Sequence, residues 1–232
     1  MTFDTAFPWI GLIFAAVLLV LLPSDALRAD RRVSRLRDVR WLSWAGVAAY
    51  LLHNVEEYGI DLHGERYAFP KAFCGMFGHA ALYPHCPAPG AVFTAVNVPM
   101  FWLAAPLAAW LSGRHRLTGL ALYGVIAVNL AAHLGRAAAT GWQYNPGLLT
   151  ALLLFLPLAA WTLLGAKLLS WRAVLGLIGL GLGLHLVLIA AMLLLLKGVL
   201  HAPGLVVALE ALNAGAMLVV TLWAERRAPH RA

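Results

Sequence analysis

Seven long apolar stretches divide the chain, and shorter polar connections separate them. A helix that spans a membrane needs about 20 consecutive, mostly apolar residues, and each stretch is close to that length. The stretches lie at residues 7–22, 41–60, 91–111, 117–135, 147–166, 173–196 and 204–223. We therefore predict an all-α polytopic membrane helix bundle of about seven transmembrane helices, folded as a single domain over residues 1–232.

The composition supports this class and excludes most others. Hydrophobic residues make up 62% of the 232 residues and charged residues only 12%, whereas a soluble domain has about 25% charged residues. So few charges cannot cover a surface that faces water. The same figures exclude a disordered chain and a small secreted scaffold held by disulfides.

The basic residues are concentrated on one side of the predicted membrane. If alternate connections lie on the same side, thirteen of the 17 Lys and Arg residues share the side of the 23–40 connection. Cytoplasmic loops carry such an excess, so we expect the N-terminus outside and the C-terminus in the cytoplasm. The net charge of +7 is thus explained by topology, and no nucleic-acid partner is expected. Residues 1–7 contain no Lys or Arg, which favours a retained first helix over a cleaved signal peptide.

The longest connection, residues 61–90, lies outside in this topology and contains both cysteines of the chain, Cys74 and Cys86. Two cysteines in one loop outside the cytoplasm favour a disulfide, with a reactive or metal-binding thiol pair as the alternative. Long loops in compact proteins are usually functional. We therefore expect this segment to cap the outer end of the bundle.

Polar residues that interrupt the apolar stretches lie at similar depths. Ionisable residues are costly in a membrane and usually face a functional interior. A rise of 1.5 Å per helical residue puts most of these residues within about 5–12 Å of the outer interface. The set comprises His53, Glu56, Glu57, Asn97, Asn129, His133 and Glu210. We predict that several of them form one site near the outer leaflet.

The spacing around His53 is typical of a metal site. Glu56 and Glu57 follow it by three and four residues, so we expect both carboxylates on one helix face with the imidazole. Two close carboxylates in a low-dielectric site cannot both stay ionised without a cation. Either a metal supplies that charge, with His133 as a further ligand, or one glutamate is protonated and transfers a proton. Arg136 could also neutralise a carboxylate.

Other polar or small residues in the stretches are interpreted as structural. Asn97, His185 and Asn213 are expected to bond the backbone of neighbouring helices. Gly179 and Gly183 in the sixth stretch have the spacing of a close contact between two helices.

The order of several motifs resembles that of the bacterial HXXEE-domain membrane proteins. The motifs are His53-Asn54-Val55-Glu56-Glu57, Phe69-Pro70, Asn129-x-x-x-His133, Tyr144-x-Pro146-Gly147-x-x-Thr150 and Pro157. The resemblance covers about residues 50–160 and implies no reaction, since the function of that family is unassigned. It implies that the polar residues of the motifs share one site, namely His53, Glu56, Glu57, Asn129 and His133. It also implies the inner membrane of a bacterium as the location.

The leading hypothesis is an intramembrane metal-dependent enzyme, a hydrolase or an oxidoreductase, with a hydrophobic or lipid-like substrate. The cofactor would be zinc or non-haem iron, as one or two ions. The expected metal ligands are His53, Glu56, Glu57, His133 and Glu210.

Three residues of the same region are expected to have catalytic roles. Glu57 would be a ligand or the general base, Asn129 would orient His133 or the substrate, and Tyr144 would donate a hydrogen bond to a bound oxygen. Glu210 would be a ligand or an acid beside the ligands. The alternatives are a metal-free acid–base lipid isomerase or cyclase, and a proton-coupled carrier of small molecules.

Overall fold

The structure is a computed structural model that describes residues 2–79, 83 and 86–227, and its main elements are eight helices. Their bounds are α1 Phe3–Leu21, α2 Val39–Asn54 continued by a π-helical turn Val55–Gly59, α3 Ala68–Met76, α4 Gly90–Leu111, α5 Arg116–Ala139, α6 Leu148–Gly165, α7 Trp171–Leu196 and α8 Pro203–Arg227. Within the described residues the only β-type pairing is an isolated bridge between Ile60 and Arg66.

Six of these helices are long and apolar enough to cross a membrane, namely α1, α4, α5, α6, α7 and α8. The expected class, an all-α multi-pass membrane protein, is confirmed by these helices. Of the other two, α3 has only nine residues, and α2 with its π-helical turn is less apolar because its C-terminal part contains His53, Glu56 and Glu57. The expected count of seven spanning helices and the orientation of the chain stay predictions.

Helix α2 lies at the centre of the molecule. Eleven of the 16 residues of Val39–Asn54 are buried, whereas five of the 19 residues of α1 are. Helix α2 packs against α1, α4, α5 and α6, whose other faces carry exposed leucines and valines such as Val20, Leu107 and Leu153. Because protein surrounds α2, it can carry polar groups that a helix exposed to lipid could not.

Two glycines allow α5 and α7 to touch through their backbones. A Cβ atom added to Gly124 would lie 2.0 Å from the carbonyl oxygen of Leu177, and one added to Gly181 would lie 2.3 Å from the carbonyl oxygen of Gly124. Gly179 and Gly183 have open space at the corresponding positions in the described chain. The close contact predicted from the Gly179–Gly183 spacing is therefore made by Gly181.

The segment predicted to cap the bundle contains α3, which packs against the end of α2. Cys74 and Cys86 form a disulfide with their Cα atoms 6.2 Å apart, as predicted. Phe73 of α3 packs against Phe69, Phe77 and Phe93, so an aromatic layer lies under this end of the bundle. Residues 80–82, 84 and 85 of the predicted cap lie outside the described residues.

Candidate functional site

Three of the predicted residues meet at the centre of the bundle. His53 and Glu57 of α2 and His133 of α5 each offer one ligand atom, and these atoms all lie within 4.8 Å of one another. The Glu57 Oε1 atom is 3.5 Å from His53 Nε2 and 3.3 Å from His133 Nε2. All three residues are buried, His53 completely. We call these residues the His/Glu cluster.

The start of α6 fixes the ring of His53. Its Nδ1 atom is 2.8 Å from the hydroxyl of Thr150. That hydroxyl has one hydrogen. The Glu56 oxygen, at 2.5 Å, is a closer acceptor for it than the Gly147 carbonyl, at 3.2 Å. Thr150 therefore accepts from Nδ1–H of His53, and Nε2 faces Glu57 with its lone pair.

An asparagine of the α5–α6 connection fixes His133 in the same way. Asn145 Oδ1 lies 2.7 Å from His133 Nδ1, and the Asn145 amide nitrogen donates to the His133 backbone carbonyl at 3.2 Å. An amide oxygen only accepts, so Nδ1 of His133 carries the hydrogen, and in the neutral ring Nε2 carries a lone pair. With both rings neutral, three acceptor atoms, two imidazole nitrogens and a carboxylate oxygen, converge in the His/Glu cluster.

Gly147 allows the two imidazole rings to approach. Its φ of +96° is in the left-handed region that favours glycine. A Cβ atom at this position would lie 2.5 Å from His133 Cε1 and 2.7 Å from His53 Cε1. A side chain at position 147 would therefore push the rings apart.

The carboxylate of Glu56 points away from the cluster and holds the start of α6. Its oxygens accept hydrogen bonds from Tyr144 Oη at 2.9 Å, from the backbone N–H groups of Leu149 at 3.0 Å and Thr150 at 2.7 Å, and from the Thr150 hydroxyl. Successive residues of a helical turn point in different directions, which lets the neighbouring Glu56 and Glu57 serve different partners. Glu56 thus anchors α6 and lies outside the group of close ligand atoms, and its role as a metal ligand stays a prediction.

Tyr144 belongs to this anchor. Its hydroxyl donates to Glu56 and accepts the backbone N–H of Leu62 at 3.1 Å. Burial raises the pKa of Tyr144, so the hydroxyl keeps its proton and remains a donor at neutral pH. The donor predicted for a bound oxygen is therefore bonded to Glu56.

A cavity of about 470 Å³ adjoins the cluster. Glu57 and His133 line it, whereas His53 is outside its wall. Most of the wall is apolar, and α3 contributes Phe69, Phe73 and Phe77. A cavity of this size with a few polar groups is typical of a small-molecule site.

Two predicted site residues line the cavity without joining the cluster. Glu210 is 1% exposed, and its Oε2 atom accepts from Asn213 at 3.2 Å, while Oε1 has no hydrogen-bond partner in the described part of the chain. The Oδ1 atom of Asn129 is also buried without a partner there. Asn145, not Asn129, orients His133. Glu210 is thus a wall residue of the cavity, outside the group of close ligand atoms.

Of the three residues predicted to bond neighbouring helices, Asn213 does so, whereas His185 and Asn97 bond carbonyl groups of their own helices. His185 Nδ1 is 2.8 Å from the carbonyl oxygen of Gly181, Asn97 donates to the carbonyl of Phe93 at 2.8 Å, and Asn213 donates to that of Leu184 at 3.0 Å. All three also line the cavity.

Sequence reasoning gave no role to Asn145, Gly147 and Thr150. They lie in a connection and at a helix start, where Asn, Gly and Thr are common for local reasons. The order Tyr144-x-Pro146-Gly147-x-x-Thr150 was the one signal that set this segment apart.

A family model described as a protein of unknown function with an HXXEE motif matches residues 44–162. The matched residues contain the whole His/Glu cluster and its anchors, and the match confirms the resemblance inferred from the motifs. No curated protein and no solved structure matches the chain.

Proposed function

The chain belongs to the family of proteins of unknown function with an HXXEE motif, and we propose that it is an intramembrane metal-dependent enzyme. The proposed substrate is hydrophobic or lipid-like. The single observation that carries the proposal is the convergence of His53 Nε2, His133 Nε2 and Glu57 Oε1. Three acceptors that face one another repel unless a cation lies between them.

The spacing of these atoms fits a metal ion. Two ligand atoms bound to zinc at about 2.1 Å with a tetrahedral angle lie about 3.4 Å apart. The two distances from Glu57 Oε1, 3.5 Å and 3.3 Å, are close to that value. Metal-binding histidines usually donate their other ring N–H to a fixed partner, and Thr150 and Asn145 provide such partners.

Two histidines and one carboxylate are donors for zinc or for non-haem iron. The metal would supply activation of water or of dioxygen, so a hydrolase and an oxidoreductase both fit these ligands. The protein contributes a fixed ring orientation at both histidines, a buried carboxylate and a largely apolar cavity that receives the substrate. We propose one ion, since Glu56 is engaged elsewhere and no second group of ligands occurs among the described residues.

A metal-free acid–base enzyme is the second candidate, and the same convergence supports it. A proton held between Glu57 and one histidine would also relieve the repulsion of three acceptors. The cluster would then donate and remove protons at a substrate in the cavity, as in an isomerase or cyclase. For either candidate we propose the cytoplasmic membrane of a bacterium as the location.

Metal content decides between the two candidates. The full-length protein is purified in mild detergent, supplied with zinc or iron, freed of excess metal and measured by elemental analysis. We expect about one ion per chain in the wild type, and a loss of most of it in His53→Ala, His133→Ala and Glu57→Gln. His185→Ala is the matched control, because His185 is a cavity histidine outside the cluster, and it should keep the ion.

Two results would overturn the metal proposal. A wild-type protein that retains no stoichiometric ion after loading with either metal favours the acid–base candidate. A protein that binds the ion equally well after His53→Ala and His133→Ala binds it elsewhere, and the cluster is then not the metal site.

A further inference from the structure

Arg136 is a half-buried cation that lines the cavity next to the His/Glu cluster. The chain has ten acidic residues, all within the described part, and none of them forms an ion pair with Arg136. By contrast, Arg28 and Arg32 in the 23–38 segment pair with aspartates. A guanidinium stays charged at any physiological pH, so Arg136 presents an unpaired positive charge to the cavity.

This charge is close to the cluster along the helix. Arg136 follows His133 by three residues in α5, which places both on one face with a rise of about 4.5 Å between them. A group bound by Arg136 is therefore one helical turn from the His/Glu cluster.

The rest of the cavity is long and mostly apolar. Along α5 its wall runs from Val125 to Thr140, which is fifteen residues and about 22 Å of helix. The other lining side chains include aromatic and aliphatic ones such as Phe93, Met100 and Leu188. This shape suits one extended hydrocarbon chain.

The acidic residues determine which way a charged amphiphile would lie. Glu57 lies 3.3 Å from Nε2 of His133, which is one helical turn before Arg136 in α5 and away from Thr140, and Glu210 also lines the cavity. A Glu57 carboxylate would repel an anionic group placed beside it, whereas Arg136 attracts such a group one helical turn nearer to Thr140. A cationic head would be repelled by Arg136 and attracted to the Glu57 carboxylate.

We propose that the cavity binds a single-chain amphiphile with an anionic head, a carboxylate or a phosphate, and that Arg136 binds the head. The chain then extends toward Val125, and the bonds next to the head lie against Glu57 and His133. That this amphiphile is a substrate rests on the function proposed above; its binding does not.

The test measures ligand affinity and uses no activity. The full-length protein is reconstituted in nanodiscs of neutral phosphatidylcholine and treated with a chelator, so that a head group cannot bind through a metal. Laurate and dodecyl phosphate are compared with dodecanol, dodecylamine and inorganic phosphate. We expect the two anionic amphiphiles to bind at least about tenfold more tightly than dodecanol, the value of a charge-assisted hydrogen bond.

Variants assign the preference to Arg136. Arg136→Gln should remove the difference between laurate and dodecanol, and Arg136→Lys should keep part of it. Arg66→Gln is the matched control, because Arg66 is exposed at the same end of the molecule and does not line the cavity. It should leave the preference unchanged.

Several outcomes would overturn the proposal. If the wild type binds dodecanol and laurate equally well, the cavity does not select an anionic head. If it binds dodecylamine more tightly than laurate, the cavity selects a cationic head instead. Inorganic phosphate that binds as tightly as dodecyl phosphate indicates a site for small anions. If the wild type binds stoichiometric metal but shows no preference for anionic amphiphiles, only the present inference is refuted. If it prefers anionic amphiphiles but binds no metal, only the proposed metal function is refuted.

Discussion

At the scale of single residues, Gly147 controls the distance between the two histidines. Gly147→Ala would add a Cβ atom 2.5 Å from His133 Cε1, at a φ of +96°. A residue with a side chain is strained in that region by about 1–3 kcal/mol, and the rings must also separate. We expect a lower melting temperature in detergent and a lower metal content.

Gly176→Ala is the control for this substitution. Gly176 lies inside α7 with open space around an added Cβ atom, so alanine should be neutral or stabilise the helix by about 0.4–1 kcal/mol. If both variants melt at the wild-type temperature, Gly147 does not constrain the rings.

Glu56 and Glu57 are neighbours with separable functions. In Glu56→Gln, an amide NH₂ group would face donors at the start of α6, and buried donors without a partner cost about 1–3 kcal/mol. We expect this variant to melt at a lower temperature while it keeps its metal. Glu57→Gln should lose the metal, as measured by elemental analysis of both proteins. Metal loss in Glu56→Gln and retention in Glu57→Gln would exchange the two assignments.

The sequence predicts the cluster well and its supports poorly. His53, Glu57 and His133 could be found because ionisable residues are rare in apolar stretches. The different roles of Glu56 and Glu57 could not be predicted. They depend on a π-helical turn and on partners of Glu56 that lie 88 to 94 residues later in the chain. Asn145, Gly147 and Thr150 resemble ordinary boundary residues until their contacts are known.

At the scale of helices, the contact of α5 with α7 depends on two glycines. Gly124→Ala would place a Cβ atom 2.0 Å from the Leu177 carbonyl oxygen, so the helices must move apart, at a cost of about 1–3 kcal/mol. Since α5 carries His133, we expect a lower melting temperature and weaker metal binding. Gly183→Ala, on α7 with open space around the added atom, should behave as the wild type. Equal melting temperatures for all three proteins would show that this contact is not close.

Apolar length predicts the helices, and polarity identifies the central one. The bounds of the long helices lie within a few residues of the predicted stretches, because spanning a membrane demands both length and apolar character. The least apolar stretch became α2, the buried helix, and Asn54 is 1% exposed there. The Gly179–Gly183 spacing predicted the wrong glycines for the close helix contact, because a spacing motif does not say which face of a helix has a partner.

At the scale of the whole molecule, the orientation in the membrane can be tested by labelling. Arg32→Cys and His63→Cys each add one exposed thiol at opposite ends of α2, and both native cysteines are in the disulfide. With a membrane-impermeant maleimide on intact cells, we expect His63→Cys to react and Arg32→Cys to react only after permeabilisation, because Lys and Arg mark the cytoplasmic side. The opposite pattern would reverse the orientation.

The attachment of Glu56 to the start of α6 also has a consequence for biosynthesis. Ribosomes add about 5–20 residues per second, and Thr150 follows Glu56 by 94 residues, so this partner is synthesised about 5–20 s after the carboxylate. During that interval the hydrogen-bond partners of His53 and Glu56 have not yet been synthesised. A helix with such unpaired polar side chains inserts poorly into lipid. We expect nascent chains shorter than about 150 residues to leave α2 beside the translocon, and the arrival of α6 to release it into the membrane.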